Sequence, residues 1–278
     1  MTFPTEDEVR LFVSDPDALL AELIVRNIVY SKWMCEYGTE HFPSVRSKRF
    51  VCRCSGHRIT RSIFFSSLFS CAKLSVGVVL LIAYDWLSSL SVSCTAVRRG
   101  VRRGTVANYY SYFRQIISHD LQINACSFGG YGVTVQIDEM FIAAKSIWIL
   151  GVYDCSSGQI ALFQIANREA DTIARCLRSK IRVCSRLVTD ALPSYIQVAR
   201  LLGCVHMVVN KSVQFVNNAL KVHTNNVEAL WCVLRSFLRF KSNFPIQVLI
   251  DEFVWRQNNK ALLWPAFLDA MGRIDFKD

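Results

Sequence analysis

The second half of the sequence alternates short apolar runs with stretches of helical periodicity, and this pattern restricts the fold more than any other feature. Strands are expected over 133–137, 146–154, 159–165, 185–189 and 204–209. Helical spacing covers 168–181, 194–202, 224–240 and 246–259. Three successive strands followed by alternating helix and strand predict an α/β fold, a mixed sheet with helices on both faces.

A glycine-rich stretch at 129–132 precedes the first of these strands and indicates a domain boundary. Residues 129–278 are therefore expected to form the α/β domain, and residues 1–128 a smaller, mainly helical module. A chain of 278 residues is long enough for two such domains.

The composition favours a folded protein with a polyanionic partner. Apolar residues make up 52% of the chain and charged residues 19%, which excludes a disordered chain. The formal net charge of +10 favours nucleic acid as the partner, ahead of a membrane surface. Eleven cysteines at irregular spacing do not form the pattern of a disulfide framework, so reduced, buried cysteines are expected.

One apolar run, from Leu74 to Leu90, is nearly long enough to span a bilayer. Asp85 interrupts it and several serines follow, so the run is expected to be a buried helix of the N-terminal module. A membrane-associated protein is the alternative interpretation, and no membrane partner is predicted.

Two aspartates stand where predicted strands end. Asp138 follows 133–137 and Asp190 follows 185–189. Side chains at the carboxyl ends of strands face the ligand crevice of an open α/β sheet, so the two carboxylates meet if their strands are neighbours. Such a pair repels and is usually compensated by a cation, for which oxygen ligands favour Mg²⁺ or Mn²⁺. The alternative is that each aspartate is only a turn or helix-capping residue.

A third acid, Glu228, lies on the predicted helix 224–240 and could complete a site for two-metal phosphoryl transfer. Glu139 could replace Asp138 as a ligand, but strand alternation points it to the other face.

Several blocks in this region resemble the transposases of Merlin-type DNA transposons and related bacterial insertion-sequence transposases. They occur in order between about residues 133 and 260: QIDEMFIAAKS, WILGVYD, LVTDALPSY, HTNNVEALWCVLRSFLR and IDEFVWRQNN. The most specific block is HTN-x-x-E-x-x-W. The resemblance implies a ribonuclease-H-like fold and DNA transposition. It also implies a DDE triad of Asp138, Asp190 and Glu228 that is catalytic and binds Mg²⁺ or Mn²⁺ in a two-metal site.

Further positions follow from the same resemblance. Arg235 stands where the family has a lysine after the glutamate, and it could hold DNA phosphate. Glu252 and Arg256 match a family helix with an acid and an arginine, although a second expected arginine is Asn259 here. Arg256 is therefore a candidate DNA contact, and an ordinary i,i+4 ion pair with Glu252 is the alternative.

Other positions near the triad have mainly structural interpretations. His206 and Asn210 resemble family positions, but His206 is expected to be a hydrogen-bonded histidine of the sheet. His223 and Asn225 could orient the third acid or contact phosphate, and Trp231 is expected in the core.

The N-terminal module departs from its relatives, which often carry a zinc ribbon with two Cys-x-x-Cys pairs. Cys35 has Gly38 where its partner should be, and Cys52 and Cys54 are too close together. A structural zinc is therefore not expected, although Cys35, Cys52, Cys54 and His57 remain an alternative ligand set.

Residues 92–115 match a helix-turn-helix, with a turn at Gly100–Gly104 and a second helix opening at Thr105. Phosphate contacts are predicted from Arg98, Arg99, Arg102 and Arg103, with Asn108, Tyr109 and Tyr112 near the groove. The alternative is a solvated basic face.

Taken together, the sequence predicts a DDE transposase that cleaves and joins DNA strands. The alternative is a domesticated or decayed transposase that binds DNA without catalysis. The resemblance implies double-stranded DNA, both transposon ends and target, as the partner and a homodimer on that DNA. It implies a nuclear location if the host is eukaryotic.

Overall fold

The computed structural model describes residues 3–44, 47–54, 56, 58–70, 72–209, 223–239, 244–274 and 276. The chain divides into two compact units, Met1–Asp120 with Asn259–Asp278, and Leu121–Asn258. The division comes a few residues before the predicted boundary at 128/129, and the C-terminal segment belongs with the N-terminal unit. His57 and Asn210 lie outside the described residues.

The N-terminal part is mainly helical, and its helix starts follow from its sequence. Thr5 and Glu8 form a capping box, Asp15 caps a helix with Pro16 at its first position, and Ser75 and Ser91 cap two more. The elements are α1 (Glu6–Ser14), α2 (Pro16–Val25), β1 (Trp33–Met34), β2 (Glu40–His41), β3 (Arg49–Cys52), β4 (Ile59–Ser62), α3 (Val76–Leu87), α4 (Val92–Arg99) and α5 (Arg103–Ile123).

The apolar run at 74–90 forms the buried helix α3, as its interruption by Asp85 predicted. Asp85 is fully buried together with Leu80 and Ile82. Across the described parts of the chain, no helix is both long and apolar enough to cross a membrane.

The second unit contains the alternating strands and helices. They are β5 (Phe128–Gly129), β6 (Thr134–Ile142), β7 (Ile147–Asp154), β8 (Ile160–Ile165), α6 (Ala170–Leu177), β9 (Ile181–Arg182), β10 (Arg186–Thr189), α7 (Ser194–Leu202), β11 (Val205–Val208), α8 (Asn225–Leu238) and α9 (Ile246–Asn258). A last helix, α10 (Leu263–Gly272), follows in the first unit.

Five strands form one mixed sheet in the order β11-β10-β6-β7-β8. The consecutive strands β6, β7 and β8 pair antiparallel, whereas β10 and β11 run parallel to β6. Three antiparallel strands followed by two parallel strands on the side of the first is the ribonuclease-H-like arrangement. The predicted fold class is confirmed.

Helices cover both faces of this sheet. On one face, α6 and α7 bury Leu177 and Val198 against Val135 and Ile137 of β6. On the other face, α8 and α9 pack against the alternate strand residues, with Leu234 and Phe253 against Ile149 and Met140. Consequently β6 is the central strand and presents one set of side chains to α7 and the next to α8.

Candidate metal centre

The sheet brings two of the predicted acids together. In the parallel register of β6 and β10, Arg186 lies opposite Thr134 and Val188 opposite Gln136. Two further residues along each strand, Asp190 stands beside Asp138. One carboxylate oxygen of each lies within 4.8 Å of the other and of a Glu139 oxygen. The two aspartates therefore share one site. The prediction that the first strand ends at Asp138 is wrong, because β6 continues to Ile142 on β7 and only its pairing with β10 ends near Asp138.

Glu139 also belongs to this cluster, although strand alternation predicted that it points to the other face. Alternation turns it toward the α7 side, where the Tyr195 hydroxyl is its neighbour, but its oxygen still reaches the aspartates. Burial raises the pKa of Glu139 to about 7. The hydrogen bond with Tyr195 and the charge of Arg168 lower this pKa, whereas the negative charges of Asp190 and Asp138 raise it. Alternation alone missed it because the Glu139 side chain starts on the other face of β6, yet its carboxylate still reaches the aspartates.

The cluster contains an unsatisfied polar atom. Glu139 Oε1 is buried and has no hydrogen-bond partner within the described parts of the chain. Burial, together with the Glu139 charge, raises the pKa of Tyr195 well above its ordinary value. Three close carboxylates, one of which has a buried oxygen without a donor, are the ligand set that a hard divalent cation satisfies, so Mg²⁺ or Mn²⁺ fits this site.

Helix α8 fixes the orientation of Asp138. The Trp231 indole donates a hydrogen bond from Nε1 to Asp138 Oδ2 at 3.0 Å. Gln136 Oε1 accepts bonds from the backbone amides of Asn226 and Val227, at 3.1 and 3.2 Å. The start of α8 is therefore held on β6. Trp231 is buried as predicted, and its N–H has the additional effect of orienting a carboxylate.

Glu228 lies on the first turn of α8 and is not a member of the 4.8 Å cluster. Its Oε1 accepts a 2.6 Å hydrogen bond from the hydroxyl of Thr224, which is itself buried. The structure thus brings together two members of the predicted triad and orients the third on the neighbouring helix.

Arg235 lies two helical turns beyond Glu228. Its guanidinium contacts the sulfur of Met140, two residues beyond Asp138 on β6, at 3.4 Å. A second contact joins Arg235 Nη2 to Cys232 Sγ at 3.7 Å, and the side chain as a whole is exposed.

The remaining predicted positions of this unit have structural partners. Arg256 donates from Nε to Glu252 Oε1 at 3.0 Å, and Glu252 is 1% exposed. Because the arginine side chain is only 12% exposed, this is the i,i+4 ion pair of the alternative interpretation. His206 Nε2 lies 2.9 Å from the Thr189 hydroxyl, and burial lowers the pKa of the histidine.

In the first unit, the predicted DNA contacts separate into buried and exposed residues. Arg99 makes a bidentate ion pair with Asp85, at 2.8 and 2.6 Å, and its side chain is 3% exposed. Tyr109 is buried, and Arg98 is partly exposed and pairs with Glu6. Arg99 and Tyr109 therefore stabilise the helices rather than present groups to DNA.

Arg102, Arg103 and Asn108 are exposed, and their contact with DNA stays a prediction. The turn between α4 and α5 contains Gly100 in the left-handed conformation, with φ +63°. The second helix begins at Arg103, slightly earlier than predicted, so both arginines lie at the start of α5 or just before it.

No protein-family model matches the chain, and no curated protein is significantly similar to it in sequence. Solved structures resemble it more distantly. The catalytic core domain of BIV integrase is 14% identical with a TM-score of 0.34, over 44% of this chain and 80% of that one. A chain from the simian T-cell lymphotropic virus intasome in complex with the PP2A regulatory subunit B56 gamma is 13% identical with a TM-score of 0.34, over 63% of this chain and 67% of that one.

Proposed function

We propose that this protein is a DDE transposase that performs metal-dependent cleavage and transfer of DNA strands. The observation that carries the proposal is the pair Asp138 and Asp190, which meet where the parallel pairing of β6 with β10 ends, with Glu139 beside them. Close carboxylates at such a point of an α/β sheet are the arrangement that a divalent metal compensates.

In this proposal Asp138, Asp190 and Glu228 hold the metal. When bound, Mg²⁺ or Mn²⁺ supplies the Lewis acidity for two-metal phosphoryl transfer. Trp231 orients Asp138, and the Thr224 hydroxyl orients Glu228. Single hydrogen bonds from buried donors are typical of the groups that support metal ligands. The exposed guanidinium of Arg235 holds a DNA phosphate beside them.

The partner in this proposal is double-stranded DNA, supplied as transposon ends and target. The net charge of +10 supports a polyanionic partner. Action as a homodimer on paired ends, and residence in the nucleus of a eukaryotic host, belong to the same proposal and rest on the sequence resemblance.

The test uses the full chain with supercoiled plasmid and with duplexes taken from the flanks of its own gene. We expect nicking or joining with Mg²⁺ or Mn²⁺ and none with a chelator. Asp138→Asn and Asp190→Asn should each reduce the rate more than about 100-fold, the upper end for changes in groups that only support a metal ligand. Asp171→Asn, an exposed acid on α6, is the matched control and should leave the rate unchanged. Cleavage that survives Asp190→Asn would overturn the site.

A second candidate is a DNA-binding protein without catalysis. Two observations favour it: Glu228 is not a member of the carboxylate cluster, and Arg256 is held by Glu252. Salt-sensitive binding of the same duplexes, with no cleavage at any Mg²⁺ or Mn²⁺ concentration, would support this candidate over the enzyme.

A further inference from the structure

Four side chains with metal-binding atoms converge in the first unit, far along the chain from the carboxylate cluster. Cys35, His41, Cys52 and Cys54 each offer one ligand atom, and these atoms all lie within 4.8 Å of one another. The three cysteines belong to the alternative ligand set that the sequence offers, whereas His41 does not.

Two hairpins supply these residues in pairs. In the first, Trp33 of β1 pairs with His41 of β2, and Cys35 begins the connecting turn. That turn is closed by hydrogen bonds from Cys35 N to Thr39 O at 3.0 Å and from Gly38 N to Cys35 O at 2.9 Å. Gly38 has a φ of +73°, which favours glycine and explains why no cysteine stands there.

The second hairpin supplies the other pair. Cys52 ends β3 opposite Ile59 of β4, and Cys54 lies in the turn between the strands. The Cys54 amide donates to Cys52 Sγ at 3.5 Å, so the turn folds back over the first sulfur. Both Cys35 and Cys52 are buried, whereas Cys54 is exposed and closes the cluster from outside.

The spacing of the ligand atoms suits a tetrahedral zinc ion. Zn–S bonds of about 2.3 Å and Zn–N bonds of about 2.0–2.1 Å separate a sulfur and a nitrogen ligand by roughly 3.6 Å in a tetrahedron. Cys54 Sγ and His41 Nε2 are 3.8 Å apart. All three cysteines are free thiols. Thiolate and imidazole ligands together bind Zn²⁺ in preference to Mg²⁺.

The local fold also requires a stabilising element of this kind. Strands β1 and β2 have two residues each and β3 and β4 have four, and each pair forms a separate two-stranded sheet. Isolated hairpins of this size are marginal in water, and small modules are commonly stabilised by a metal or disulfides. Aromatic packing of Trp33 on Phe50, at 6.4 Å between ring centroids, is one contact between the two hairpins.

We propose that Cys35, His41, Cys52 and Cys54 bind a structural Zn²⁺ ion that ties the two hairpins together. The four protein ligands close the coordination shell, so this ion stabilises the fold and takes no substrate. The sequence pattern did not predict a zinc site because the ligands follow Cys-x5-His and Cys-x-Cys spacing in place of two Cys-x-x-Cys pairs. The proposal is independent of the carboxylate site, and its failure leaves the proposed function standing.

The experiment measures metal in the full chain, purified without added metal or chelator. We expect one zinc per chain by mass spectrometry of the metal. After exchange with Co²⁺, we expect the intense visible bands of a tetrahedral thiolate–imidazole site. Asp190→Ala serves as the background protein, since it removes Co²⁺ bound at the carboxylates.

Variants identify the ligands. His41→Ala and Cys54→Ser should each lose the zinc and the cobalt bands. His41→Cys should retain zinc and shift the bands to those of a four-thiolate site, which shows that loss in His41→Ala is not simple misfolding. Cys94→Ser and Cys155→Ser, exposed cysteines elsewhere, are the matched controls and should keep one zinc per chain.

Three results would overturn the proposal. They are a full chain that carries no zinc and gives no tetrahedral cobalt spectrum, a disulfide among the three cysteines in the freshly purified protein, and unchanged zinc content and cobalt spectra in His41→Ala.

On the unsubstituted protein, zinc removal should lower the melting temperature and readdition should restore it.

Discussion

At the scale of single residues, two glutamates compete for the third position beside Asp138 and Asp190. Glu139 lies in the cluster but faces Tyr195, and its raised pKa shows that a proton neutralises it easily. Glu228 is oriented by Thr224 on the helix that also orients Asp138. We therefore expect Glu228→Gln to reduce strand cleavage more than about 100-fold and Glu139→Gln to reduce it less than about tenfold. The measurement is the cleavage rate of each variant in Mn²⁺. A larger loss of rate in Glu139→Gln than in Glu228→Gln would mean that Glu139 is the third metal ligand.

The pKa of Glu139 also predicts how stability depends on pH in the metal-free protein. Because the folded state raises this pKa from 4.5 to about 7, the folded chain binds the proton more tightly than the unfolded chain. The contribution to stability is complete below about pH 4.5 and is lost as pH rises through about 7. Its size is about 2–3 kcal/mol, after allowance for partial exposure.

Urea unfolding of the metal-free chain between pH 4.5 and 8 measures this loss. The wild type should become less stable than Glu139→Gln as pH rises, and Mg²⁺ or Mn²⁺ should restore it at pH 8. Parallel stability curves for the two proteins would contradict the assignment of the pKa to Glu139.

At the scale of elements, the contact between α8 and the sheet depends on a glycine. A Cβ built on Gly151 of β7 would lie 2.4 Å from Trp231 Cη2 and 2.7 Å from Cζ2. We expect Gly151→Ala to displace the Trp231 ring and weaken its hydrogen bond to Asp138. Overpacking of this kind costs about 1–3 kcal/mol in the free energy of unfolding. Metal affinity, measured by calorimetry with Mn²⁺, should fall with it, and unchanged affinity would mean that Trp231 does not position Asp138. Gly104→Ala, where a Cβ would meet no atom within 4 Å, is the control for affinity.

Most helices and strands of the second unit were predictable from the sequence because helical and strand periodicities differ. The end of β6 was not, since Asp138 and Glu139 lie within a strand that continues to Ile142. Asp138 and Asp190 nevertheless meet as predicted, because β6 and β10 are parallel neighbours. The cysteine cluster could not be predicted in this way. His41 meets the cysteines only through the register of two short hairpins, which no spacing rule contains. Similarly, the burial of Arg99 depends on Asp85, and the sequence shows two charges but not their contact.

The basic end of α4 gives a further prediction at this scale. Removal of one partner from a buried ion pair leaves an uncompensated charge, which costs about 3–5 kcal/mol. We expect Arg99→Ala to lower the free energy of unfolding by about 3 kcal/mol, the lower end of this range, because Arg98 also approaches Asp85 at 3.9 Å. Arg102→Ala, an exposed neighbour, should change it by less than about 0.5 kcal/mol. Denaturant midpoints measure both, and equal effects would contradict the structural role of Arg99.

At the scale of the whole molecule, the positive charge is shared between the two units. The first contains 18 basic and 13 acidic residues, and the second 14 and 9, so each carries a formal charge of +5. A single basic tail would concentrate the charge in one unit. With a charge of +5 on each unit, both units would attract a polyanion. The salt dependence of binding is therefore the appropriate measurement.

DNA affinity should fall steeply with salt concentration, because each phosphate that the protein neutralises releases counterions. Each such contact steepens the decline of log K against log salt concentration by about 0.9. If Arg102 and Arg103 each contact a phosphate, the variant with both changed to alanine should lose about 2 from that slope. Lys73→Ala removes an exposed charge of the same unit outside the helix-turn-helix and should leave the slope nearly unchanged. Asp190→Asn should bind as tightly as the wild type in the presence of a chelator, since it changes only the metal site. Fluorescence anisotropy at several salt concentrations measures all three, and equal slopes for the double variant and the wild type would place the DNA contact elsewhere than at the start of α5.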